Sequence, residues 1–168
     1  MQKGLFFGIF LLAASTLHAQ RFGIVDTDYI LKQIPEYAQA QGQLDQMSKT
    51  WQGEVEAMLS EIDALEKSLE AEQILLTDEM IAEREAVIKS KQEEARNLQR
   101  KYFGPEGDLF KKRLELVKPI QDQVYNAVQD VARKKKFDVV FDRASSLTML
   151  YSSDKIDISE EVLDALGF

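Results

Sequence analysis

From Leu44 onward the apolar residues fall at Leu44, Met47, Trp51, Val55, Met58, Ile62, Leu65 and Leu69, with mostly polar residues between them. Their spacings are 3, 4, 4, 3, 4, 3 and 4, the alternation of a coiled-coil seam with one 11-residue repeat at its start. A helix packed on a globular core shows a broader apolar stripe. Pro35 suits a first helical turn, so the pattern predicts a helix from about Pro35 to Leu76, on the order of 60 Å long at 1.5 Å per residue. A small domain has no core of that length, and the helix needs a partner helix.

The partner begins at "ILLTDEM", Ile74 to Met80. Thr77 is a good N-cap, and Asp78 and Glu79 favour the positive end of a new helix. Ile74, Leu75 and Leu76 are expected to close the seam over the turn; the competing reading has them, with Met80, contacting a bound partner. A second seam runs through Ile81, Ile88, Ala95, Leu98 and Tyr102, sparser but with the same repeat. Met47 and Met58 read as seam residues rather than as an adaptable binding surface, and Trp51 as packed in the seam.

Charge agrees with an antiparallel pairing. Residues 45–79 carry 10 acids and 2 bases, whereas residues 83–118 carry 7 acids and 10 bases, so folding back sets an acidic helix beside a basic one. Each exposed pair contributes only ~0.2–1 kcal/mol, which selects the partner more than it stabilises it. Local pairs Asp45–Lys49, Glu85–Lys89 and Asp108–Lys112 are expected to add about a few tenths of a kcal/mol each.

"FGPEGDLF", Phe103 to Phe110, interrupts the second helix, because a proline alone costs a helix interior roughly 3 kcal/mol. Gly104, Pro105 and Gly107 therefore mark a joint, read either as an outward bulge or as a hinge. Beyond it Leu114, Val117, Ile120, Val124, Val128 and Val131 form a broader apolar face, with a second bend at Pro119. The period then changes to two. "FDVVFD", Phe137 to Asp142, and "LTMLY", Leu147 to Tyr151, read as a β-hairpin, and "RFGIVD", Arg21 to Asp26, as a further strand. "DISEEVLDAL" closes the chain as a helix, with Asp157 and Glu160 at capping-box spacing.

These elements predict an α+β fold, mostly α: a body from residues 20–34 and 119–168, and a helical-hairpin arm from 35–118 with its tip near 74–79. Phe22, Ile24, Val139, Phe141 and Met149 are the expected body core. Three short strands and two helix ends make a thin core, so the body is expected to be completed by oligomerisation.

The first residues, "MQKGLFFGIFLLAASTLHA", have the layout of a secretory signal peptide, with cleavage expected after Ala19. The apolar run from Leu5 to Ala14 is well short of the roughly 20 residues of a membrane span. Removal of residues 1–19 takes away His18, the single histidine of a chain with no cysteine. The mature chain then lacks an imidazole base, a thiolate nucleophile, a disulfide and the usual zinc ligands. No catalytic, metal or cofactor site is expected, no D-x-D-x-D-G calcium loop occurs, and the protein reads as a non-enzyme. Its charge, −8 for the whole chain, argues against nucleic acid. "RKKK", Arg133 to Lys136, is expected to complement the negative end of its helix rather than meet lipid phosphate, so a membrane-surface contact has no support in the sequence.

"FGIVDTDYIL", followed by Pro35 and a long helix, and above all "VYNAVQDVARKKKFDVVFDRASSLTMLYSSDKIDISEEVLDAL" resemble the Skp/OmpH family of periplasmic chaperones, over essentially the whole mature chain. The resemblance implies a homotrimer whose pooled strands form a barrel and whose helical arms enclose a cavity. Such a protein holds unfolded outer-membrane proteins without ATP or any cofactor, here with Ile74, Leu75, Leu76 and Met80 as client-binding candidates and Gly104, Pro105 and Gly107 as a hinge. The best-known members have basic arms, whereas residues 45–118 carry 12 bases against 17 acids; no lipopolysaccharide site is carried over. The alternative is an exported coiled-coil adaptor joining folded envelope proteins.

Overall fold

The structure is a computed structural model that describes residues 20–145 and 149–168; the expected signal peptide and its cleavage site lie outside them. The chain divides into two compact units, one of residues up to Gln33 with Val124–Phe168 and one of Ile34–Gln123. The fold is α+β and mostly helical.

In the first unit β1, Phe22–Val25, lies parallel to β2, Val139–Asp142, with Phe22 opposite Val139 and Ile24 opposite Phe141. This corrects the expected hairpin: Met149, Leu150 and Tyr151 belong to no strand, and Leu147 and Thr148 lie outside the described residues. The other neighbour of β1 is the segment at Asp157, bridged to Ile24, with the Ile158 N–H donating to the Ile24 carbonyl at 2.8 Å. Helix α1, Thr27–Gln33, follows β1 at once because the Asp26 carboxylate caps it, accepting from the Tyr29 N–H at 2.9 Å.

The terminal helix of this unit, Ser159–Leu166, packs on α1. Ile30, Ile158 and Val162 are fully buried here, each contributing about 1.5–3 kcal/mol. The expected capping box is not formed. Asp157 accepts from the backbone N–H and the hydroxyl of Ser159, while Glu160 instead accepts from the Tyr29 hydroxyl.

The second unit is a helical hairpin. Helix α2 runs unbroken over Pro35–Glu72 with Pro35 in its first turn, a short 3-10 turn covers Gln73–Leu75, and α3 spans Asp78–Phe103. Thr77 is the N-cap of α3, its side chain accepting from the Met80 N–H. Leu44, Val55 and Ile62 are buried along α2, and Ile88, Ala95 and Tyr102 along α3. Met58, Leu65 and Leu69 pack around Ile62, Ile88 and Ala95, which places Met58 in the seam. Trp51 stacks flat on Tyr102, ring centroids 4.8 Å apart.

Two ion pairs cross the hairpin, Arg84–Glu72 at 2.8 Å and Lys91–Glu61 at 2.7 Å. The local pairs expected at Asp45–Lys49, Glu85–Lys89 and Asp108–Lys112 are not formed; Lys112 reaches forward to Glu115 and Lys67 back to Asp63. At the exposed ends of long side chains such choices are nearly degenerate. After α3 the chain turns through Gly104–Gly107 into α4, Asp108–Leu116, and a second break at Val117 precedes α5, Lys118–Lys135. The left-handed Lys136 ends α5. Arg133 pairs with Asp130 and Lys135 with Glu161, so half of the basic run is engaged within its own unit. The terminal helix, Ser159–Leu166, is α6.

Candidate functional site

The hairpin tip is built by a conflict between two local signals. Helix α2 loses its hydrogen-bond ladder beyond Glu72, and Thr77 starts α3 in an extended conformation, so Gln73–Leu76 must bridge the two helices in a tight turn. A turn that short turns only one of its three consecutive apolar side chains inward. Leu76 is partly covered, whereas Ile74 and Leu75 are 95% and 85% exposed. The expectation that all three seal the seam is therefore overturned for Ile74 and Leu75. Met80, on the first turn of α3, is exposed beside them.

Below the tip, the sparse seam of α3 leaves open furrows on both sides of Ile88. One, of about 530 Å³, is floored by Leu69, Ile81 and Ile88; the other, of about 450 Å³, by Leu65, Met80, Val87 and Ile88. The Arg84 guanidinium and the Ser68 hydroxyl hold the Glu72 carboxyl below the usual carboxylate range, and the Glu61 carboxylate raises the Lys91 ammonium. Both shifts favour the charged pairs that cross the hairpin.

The joint is the second feature. A Cβ on Gly107 would lie 2.8 Å from the Gly104 nitrogen and the Tyr102 carbonyl oxygen, and one on Gly104 would collide with the Arg100 carbonyl. Both glycines are thus required by close backbone approach. Pro105 sits exposed between them. Beside the turn a furrow of about 310 Å³ is lined by Phe103, Leu109 and Phe110. On the neighbouring turn Tyr102 donates its hydroxyl to Glu54, whose carboxylate raises the phenol.

In the first unit Phe22, Ile24, Val139 and Phe141 share one face of the β1–β2 pair. Ile24 is buried, but Phe22, Val139 and Phe141 are exposed, with the Phe22 and Phe141 rings stacked at 6.1 Å. Met149 is partly covered. Leu59, Val87 and Phe110, which the sequence reading missed, are exposed, as are Leu114, expected in the apolar face beyond the joint, and Leu150 and Tyr151, expected in a strand. Leu59 and Val87 could have been found as apolar residues falling outside the seam's 3-and-4 spacing.

Among the described residues no group of three or more His, Cys, Asp or Glu is placed to hold a metal, and no helix is long and apolar enough to cross a membrane. The tip and the furrows present apolar side chains rimmed by charge.

The family model for OmpH-like outer membrane proteins matches residues 21–166. An uncharacterized protein of Aquifex aeolicus (strain VF5) is 32% identical over 161 residues, which cover 96% of this chain and 94% of that one. The crystal structure of a Caulobacter crescentus CB15 protein described as an OmpH-like outer membrane chaperone superimposes with a TM-score of 0.65 at 14% identity, covering 88% of this chain and 84% of that one. With nearly the whole described chain inside the family match, the protein belongs to the OmpH-like family.

Proposed function

We propose that the protein is an ATP-independent holdase chaperone of the periplasm, a homotrimer that keeps unfolded outer-membrane proteins soluble between its helical arms. The observation that carries this reading is the apolar hairpin tip, where Ile74 and Leu75 stand in water with Met80 beside them. Folded monomeric proteins seldom leave consecutive large aliphatic side chains so bare without a use for them. Leu76 completes the client-contacting set at its inner edge.

A holdase needs no catalytic group. Any surface that binds the unfolded state lowers its free concentration and hence its aggregation. Arms tethered to one trimer present weak contacts at high effective concentration, so the sum holds while each contact exchanges. In this reading Gly104, Pro105 and Gly107 let the distal hairpin swing to admit clients of different size. Phe22, Ile24, Val139, Phe141 and Met149 build the shared body.

The test is dilution of a urea-unfolded outer-membrane β-barrel protein into buffer containing the mature chain and no nucleotide. The client is expected to stay soluble at about one trimer per client, and Ile74→Ser with Leu75→Ser to raise the amount of chaperone needed. Undiminished aggregation at several-fold trimer excess rejects the proposal. A protein that ignores the unfolded client but captures folded envelope proteins is instead the coiled-coil adaptor.

A further inference from the structure

Residues 61–85, the distal part of the hairpin, carry nine acids (Glu61, Asp63, Glu66, Glu70, Glu72, Asp78, Glu79, Glu83 and Glu85) and two bases, Lys67 and Arg84. Both bases are already engaged, Lys67 with Asp63 and Arg84 with Glu72, and Lys91 reaches in from outside the segment to Glu61. Glu66 accepts only from the neutral Gln92 amide. Six carboxylates are thus left without a cationic partner among the described residues. The N-terminus of α3 accounts for Asp78 and Glu79. It does not account for Glu66, Glu70, Glu83 and Glu85. Glu66 stands four residues from Glu70, and Glu79 four from Glu83, spacings at which like charges destabilise a helix.

These carboxylates rim apolar floors. Glu66, Glu70 and Glu85 border the furrow over Leu69, Ile81 and Ile88, and Glu83 borders the one over Met80, Val87 and Ile88. Lys89 and Arg96 stand on the rim of the first furrow, whereas the second has only the engaged Arg84. At the hairpin tip itself Ile74 and Leu75 add exposed apolar side chains.

We propose that this distal end is a docking surface for cationic amphipathic segments, stretches of unfolded polypeptide in which Lys or Arg is interspersed with apolar residues. The inference rests on the holdase reading and adds a charge preference to it. Apolar side chains of the segment enter the furrows and cover the tip, while its cations relieve the repulsion among the unpaired carboxylates. An anionic lipid surface or an acidic segment meets the same carboxylates as repulsion.

The test uses the mature chain and labelled peptides of equal apolar content, one bearing Lys and the other Glu at the polar positions. Fluorescence anisotropy is expected to show the Lys peptide bound about tenfold more tightly at low salt, since a few exposed charge contacts suffice for that ratio. The preference is expected to shrink at physiological salt. Glu66→Gln, Glu70→Gln, Glu83→Gln and Glu85→Gln together should abolish it while leaving the helical circular dichroism intact.

Equal binding of the two peptides, or a preference that survives the four substitutions, overturns the proposal. So does equal binding of a Lys peptide whose apolar residues are replaced by Ser, because charge alone then suffices. If neither peptide binds yet the unfolded β-barrel client is kept soluble, this inference falls and the holdase reading stands. If the client aggregates as well, both fall.

Discussion

Asp157 shows how a single side chain joins three segments of the first unit. One carboxylate oxygen accepts from the Ser159 hydroxyl at 2.6 Å and the Ser159 N–H at 2.9 Å, the other from the Arg143 guanidinium at 2.8 Å. Ser159 in turn accepts from the Asp26 N–H. Partial burial pushes the Asp157 carboxyl upward, but the Ser159 donors and Arg143 outweigh it and hold it below the usual range. An unfolded Asp titrates at about pH 3.9. The stabilising contribution is therefore whole above that value and is lost as pH falls through the lower folded value. Urea denaturation is expected to show Asp157→Asn less stable by about 1 kcal/mol at neutral pH, a gap constant down to about pH 5 and closing below about pH 4. A gap that widens on acidification contradicts this assignment. The sequence made Asp157 legible as a capping residue but misassigned its partner. The spacing to Glu160 is local, whereas the Tyr29 hydroxyl that takes Glu160 arrives from 131 residues away.

The helical elements were the most legible because their information is local and periodic. The seam positions of α2, the N-cap at Thr77 and the break at Gly104–Gly107 all follow from spacing and turn chemistry within a few residues. The strand pairing was not legible in the same way. Period-two patterning names strands but not neighbours: it pairs "FDVVFD" with the adjacent segment, whereas its partner, β1, lies more than a hundred residues upstream. Glycine offers an element-level test with opposite signs. Gly42 and Gly53 lie within α2, with open space where a Cβ would stand. Alanine at either is expected to stabilise by about 0.5–1 kcal/mol. At Gly107 the added carbon meets backbone atoms at 2.8 Å, and because backbone cannot rotate aside, alanine is expected to cost about 1–3 kcal/mol. Chemical denaturation of the three single variants checks this. The same sign at all three positions would mean that the turn at the joint is not the one described.

At the scale of the whole molecule the question is what covers the first unit. Strand β2 has no partner on its outer edge among the described residues, and Phe22, Val139 and Phe141 lie exposed on the same sheet face. Leu150 and Tyr151, at 95% and 86% exposure, add further apolar surface to the same unit. A two-stranded sheet with an open edge invites pairing with another chain, and the homotrimer proposed above meets that need with copies of the same surface. An assembly whose copies complete one another's core unfolds at a temperature that rises with protein concentration. Sedimentation of the mature chain is therefore expected to give three times the protomer mass, with a melting temperature that climbs on concentrating the sample. Phe141→Asp places a charge on the shared face, where burial between copies would strip the carboxylate of water. It is expected to lower the mass and flatten the concentration dependence, while the hairpin, in the other unit, keeps its helical signal. Wild-type protein that sediments as one protomer, with a melting temperature indifferent to concentration, would leave the exposed face without a partner of its own kind and remove the enclosed cavity from the proposed mechanism.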